Sequence, residues 1–120
     1  MTVGGHRAER LAEEIHHEVD LMLAGELKDP RLEGSVQVTE VRVTPDLHTV
    51  RVFVQLQGDD EERAAAAEGL QAAAGYVRHE LVERLQLRRA PEVLFVRDES
   101  EDYGRHIDEL LRKVTPPKES

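Results

Sequence analysis

Apolar residues recur at three- and four-residue steps near the start of the chain: Leu11, Ile15, Val19, Met22 and Leu23, with Glu9, Glu13, Glu14, His17 and Glu18 between them. That spacing predicts an amphipathic helix over residues 6–27. Lys28-Asp29-Pro30-Arg31 stops it, since proline disfavours the helical region for the residue before it, and Asp29 with Arg31 can organise the turn. Residues 35–43 (SVQVTEVRV) read as a strand in which Val36 and Val38 share one parity and Val41 and Val43 the other. If all four face one core, a bulge must fall near Thr39-Glu40. Thr44-Pro45-Asp46-Leu47 has turn chemistry. Over residues 48–56, Val50, Val52, Val54 and Leu56 then alternate with Thr49, Arg51, Phe53 and Gln55, so 35–56 reads as a hairpin.

A second helix opens at Gly58-Asp59-Asp60-Glu61-Glu62. Asp59 can cap it, Glu62 completes a capping box, and the acidic cluster suits the positive helix end. Alanines dominate as far as Ala74, which allows close packing on a sheet. Gly75 interrupts the pattern, and Val77, Leu81, Val82 and Leu85 resume it to about residue 86. Pro91 precedes a short strand over 92–97, rich in β-branched and aromatic residues. Ile107, Leu110, Leu111 and Val114 suggest a last helix ended by Pro116-Pro117. The expected order is helix, strand, strand, helix broken by a glycine, strand, helix. This is an α+β domain over residues 6–114, with a three-stranded sheet, helices packed on one face, and short flexible termini at 1–5 and 115–120.

Composition narrows the class. No cysteine is present among 120 residues, so disulfides and thiolate metal sites are out and a reducing cytoplasm fits. No apolar run approaches the ~20 residues of a membrane span, and the N-terminus lacks a signal-peptide stretch. The net charge of −9 argues against a generic nucleic-acid binder. That charge is unevenly spread: only residues 76–97 are net positive, with five Arg against three Glu, and Arg84, Arg88 and Arg89 have no acid between them. Such a stretch can dock on RNA while repulsion elsewhere limits nonspecific binding, or it can merely complement a helix dipole.

Catalytic and metal motifs are missing from the sequence. His16 and His17 are adjacent and point about 100° apart on a helix. His6, His48, His79 and His106 are scattered, and no zinc spacing appears. The run from Asp59 to Glu62 lacks EF-hand spacing, and Ser35 and Ser100 lack a nucleophile-elbow context. No cofactor is expected.

At a larger scale, six blocks in order resemble the ribosome-binding factor A family. They are Lys28-Asp29-Pro30-Arg31; VRVTPDL at 41–47 with VRVFV at 50–54; AAAGYVR at 72–78; RAPEVLF at 89–95; Asp98-Glu99-Ser100; and RHIDELL at 105–111. The resemblance spans Arg7 to Val114. It implies a type II KH-like fold whose glycine-rich loop is replaced by an Ala-x-Gly helix kink, here Ala73-Ala74-Gly75. It also implies a cytoplasmic, non-enzymatic factor, monomeric when free, that binds the 30S ribosomal subunit late in its assembly. The expected contact is 16S rRNA near the neck, with support for processing of the rRNA 5′ end and for growth in the cold.

Physical reasoning supplies candidate contacts. A glycine at 75 lets a phosphate or ribose approach the backbone, or simply relieves crowding where helix crosses sheet. Arg78 lies one turn on, and Arg84, Arg88 and Arg89 follow, giving a phosphate-tracking surface over residues 73–89. Arg7 and Arg10 start the first helix, where the dipole disfavours cations, which suggests that they face phosphates. Phe53 lies on the polar parity of its strand, where it stacks on a base or packs under the last helix. Two rival classes stand beside this reading: a protein-binding α+β module, favoured by the acidic charge, and a processing nuclease, which needs a constellation the sequence lacks.

Overall fold

The computed structural model describes residues 3–98, with side chains from Arg7 onward. The expected last helix therefore lies outside the described residues. Helix α1 spans Val3–Leu21 and continues into a π-helical turn at Met22–Glu26. A 3₁₀ turn at Pro30–Leu32 follows, then strand β1 (Val36–Val43), strand β2 (Thr49–Leu56), helix α2 (Asp60–Leu85) and strand β3 (Glu92–Arg97).

The sheet order is β1-β2-β3, with β1 antiparallel and β3 parallel to β2. The parity change in β1 is resolved by a bulge: the register shifts between Val38 and Glu40, leaving Thr39 unpaired. Val38 and Val41 thereby both face the core, opposite Val54 and Val52. The extra residue also ties β1 to the chain just past β3. Its hydroxyl lies 2.5 Å from the Asp98 carboxylate and 3.3 Å from the Phe53 carbonyl, and its single proton goes to the nearer acceptor.

One face of the sheet carries both helices. Ile15, Val19 and Met22 from the first helical segment, Leu70, Val77 and Leu81 from α2, and Val50, Val52, Val54 and Val93 from the strands form one buried cluster. Each such side chain, fully removed from water, contributes roughly 1.5–3 kcal/mol. The opposite face carries Gln37, Gln55, Arg42, Arg51 and Phe53. The Arg42 guanidinium sits 5.6 Å from the Phe53 ring centroid, close enough for a cation–π contact.

The turn at 28–31 and the capping box of α2 are realised as expected. Asp29 caps the 3₁₀ turn, accepting from the Arg31 backbone N–H at 3.0 Å and from Arg31 Nη2 at 2.7 Å. Asp59 and Glu62 form the reciprocal capping box, at 2.8 Å in each direction.

Two expectations need correction. α2 is not broken at Gly75; it runs uninterrupted through Ala73, Ala74 and Gly75. A single glycine costs a helix about 1 kcal/mol, too little to end one flanked by alanines and by Val77 and Leu81 in the core. Nor does Gly75 relieve crowding, because a Cβ there would meet nothing within 4 Å. The close approach is at Gly69, where a Cβ would stand 3.0 Å from Leu32 Cδ2 and 3.2 Å from Asp29 Oδ2. Gly69 lets the 3₁₀ turn lie against α2.

Candidate nucleic-acid interface

α2 ends at Leu85 with Gln86 in the left-handed region (φ 56°), and the Leu87 N–H reaches back to the Val82 carbonyl at 3.1 Å. This Schellman closure turns the chain sharply, so Arg88 and Arg89 fold back toward the β1–β2 turn. That turn contains the other non-glycine residue with positive φ among the described residues, Leu47 at 63°. It is held by its own polar groups. The Leu47 N–H donates to the Thr44 carbonyl at 2.8 Å, and Asp46 Oδ1 accepts from the Thr44 hydroxyl at 2.7 Å and from the His48 N–H at 3.0 Å. These donors, the Thr44 hydroxyl first, hold the Asp46 carboxyl below the usual aspartate range.

Between the two turns and α1 lies a groove of about 700 Å³. Arg7, Arg88 and Arg89 bring nitrogen donors to it, His48 an imidazole ring, and Leu11, Leu47 and Leu87 apolar surface. Arg89 Nη1 stands 3.1 Å from His48 Nε2. Among the described residues, neither Arg7, Arg88 nor Arg89 forms an ion pair with a carboxylate. The fold thus joins three of the arginines expected to bind RNA, although 81 positions separate Arg7 from Arg88 in the sequence.

The other expected residues are dispersed. Ala73 and Ala74 are half-buried on α2; Gly75 and Arg78 are exposed. At 1.5 Å per residue, Gly75 lies roughly 16 Å along the helix from Gln86. Arg10 is exposed on α1. Because α1 begins at Val3, Arg7 and Arg10 lie beyond its first turn, and the dipole argument for them weakens. Arg51, exposed on the open sheet face, was not singled out by the sequence; its position among alternating polar residues of β2 was the available signal.

Arg84 departs most from expectation. Its guanidinium bonds Glu18 Oε1 at 3.1 Å, Glu80 Oε1 at 3.0 Å and the Glu26 carboxylate, which also accepts from the Tyr76 hydroxyl. Three carboxylates on one cation tie α2 to α1 and its π-helical turn. Glu26, bonded first to Arg84, is held below the usual glutamate range, and Arg84 is raised further above an already high value. The cluster is net negative, so it repels phosphate beside the path from Gly75 to the groove.

Among the described residues, no group of three or more His, Asp or Glu side chains is arranged to hold a metal ion, and no helix is long and apolar enough to cross a membrane.

Comparison with known proteins gives one consistent result. The family model described as ribosome-binding factor A matches residues 7–111. The chain is 41% identical over 109 residues to the ribosome-binding factor A of Caldanaerobacter subterraneus, covering 91% of this chain and 89% of that one. The crystal structure of ribosome-binding factor A from Thermus thermophilus superposes with a TM-score of 0.58 at 25% identity, over 80% of this chain and 97% of that one. A homology model of the Thermus thermophilus factor, as fitted into the electron cryo-microscopy map of its 30S complex, superposes with a TM-score of 0.52 at 25% identity, over 72% of this chain and 93% of that one.

Proposed function

The chain belongs to the ribosome-binding factor A family, and from that premise we propose that it is a non-enzymatic assembly factor that binds the 30S ribosomal subunit. Late in assembly it contacts 16S rRNA near the neck and supports processing of the rRNA 5′ end. It acts in the cytoplasm, as a monomer when free, without a cofactor, and its contribution weighs most in the cold. Support comes from the KH-like fold shared with family members and from a relative fitted into a 30S complex. The observation that carries the reading in this chain is the groove: in a protein of net charge −9, Arg7, Arg88 and Arg89 converge without a paired carboxylate among the described residues. Phosphate contacts would come chiefly from there, with Arg78 and the exposed Gly75 forming a second, separate contact on α2. Arg84 serves as a brace.

The factor works by differential affinity: it favours one conformer of immature rRNA and leaves when that conformer matures. Co-sedimentation with separated small and large subunits at two salt concentrations tests the reading. Salt-sensitive binding to small subunits alone is expected. Binding to neither would contradict the function, and equal affinity for immature and mature small subunits would sink the conformer mechanism.

A further inference from the structure

We propose that the groove between α1, the β1–β2 turn and the end of α2 holds one unstacked nucleotide of single-stranded RNA. Its base lies against Leu11, Leu47 and Leu87, and its flanking phosphates lie on the arginines. The inference rests on the ribosome-binding reading and names what that reading's groove takes up.

Three observations support it. The lining combines leucines with guanidinium groups, and an unpaired nucleotide carries both complements, a flat apolar face and anionic oxygens. A duplex keeps its base faces stacked inside, so it offers the leucines no flat apolar surface. Second, the carboxylate at the groove's edge, Asp46, has Oδ1 engaged by the Thr44 hydroxyl and the His48 N–H, so part of its charge is offset by donors of its own loop. Third, Leu47 is left-handed at φ 63°, where glycine or asparagine is the ordinary choice. Its half-buried leucine side chain lines the groove and does not belong to the core cluster. A residue strained in backbone and unused in the core is more often found at a binding surface. An acidic peptide would satisfy the arginines, but it offers the leucines no flat apolar surface.

The test titrates the full chain by fluorescence anisotropy with oligouridylate of about seven nucleotides, an abasic backbone of the same length, an RNA duplex, and polyglutamate. Oligouridylate is expected to bind roughly tenfold more tightly than the abasic strand, a difference that Leu47→Gly, which suits the positive φ, should shrink. Equal affinity for oligouridylate and the abasic strand overturns the proposal, as does preference for duplex or polyglutamate. The abasic comparison needs no variant, so it stands whatever Leu47→Gly does to folding. Small-subunit co-sedimentation of the same preparation separates the two failures. Sedimentation without a base preference overturns the groove assignment alone, whereas absence of sedimentation overturns the function beneath it.

Discussion

Arg89 and His48, 41 residues apart, meet at 3.1 Å between Nη1 and Nε2. A guanidinium has only donors, so the imidazole accepts at Nε2 and carries its proton on Nδ1, which faces the Asp46 carboxylate at 3.6 Å. The contact holds Arg89 against the β1–β2 turn at the rim of the groove. His48→Ala is expected to weaken small-subunit binding by about fivefold, the worth of one hydrogen bond, with the fold intact. His48→Gln, which keeps an acceptor, should retain more of the affinity. Equal dissociation constants for wild type and His48→Ala would remove His48 from the account.

Arg84 should behave in the opposite way. Replacing it with methionine leaves Glu18, Glu26 and Glu80 clustered without a cation, so like charges repel across the α1–α2 contact. A lower urea midpoint with little change in small-subunit affinity is expected, and adding Glu26→Gln should recover part of the loss. Reduced affinity at unchanged stability would return Arg84 to the binding surface.

The glycines of α2 separate packing from recognition. Gly75→Ala meets open space and should stabilise by up to about 1 kcal/mol through helix propensity. Gly69→Val should destabilise by roughly 1–3 kcal/mol, because its Cβ already crowds the buried Leu32. Thermal melts of both variants decide. A destabilised Gly75→Ala would show that the backbone there does more than the helix requires.

Acid should erase the Asp29 turn. Arg31, through its side chain first and its backbone N–H next, holds the Asp29 carboxyl below its ordinary value of 3.8. A carboxyl depressed in the folded state contributes stability that is fully present above its unfolded value and lost as pH falls through the folded one. Asp29→Asn should therefore be less stable than wild type near neutrality, and the gap should close as pH drops below about 4. Using the difference cancels the general relief of repulsion that acid brings to an anionic chain. A gap that widens in acid would contradict the assignment.

Much of the fold is legible in local chemistry. The shifted valine parity of β1 placed a bulge near Thr39-Glu40, and the Asp59 and Glu62 spacing located the α2 capping box, because both are settled within a few residues. What escaped depends on distant partners. Gly75 read as a break, since the sequence does not weigh one glycine against a core held by Val77 and Leu81. Gly69 drew no notice because the turn that packs on it lies more than thirty residues earlier. Arg84 read as a binding cation because Glu18 and Glu26 become its neighbours only when α1 crosses α2. The candidate site was half legible for the same reason. Its arginines could be named, but their gathering needs two left-handed residues, Leu47 and Gln86, at positions where no glycine announced a turn.

The most direct test of the central claim is the salt dependence of 30S binding for wild type and for Arg88→Ala/Arg89→Ala. If these arginines neutralise phosphates, wild-type affinity falls steeply with salt, and the variant's log–log slope is shallower by about 1.4 to 1.8, near 0.7–0.9 per phosphate contact. Parallel slopes for the two proteins would show that the groove does not touch the RNA backbone.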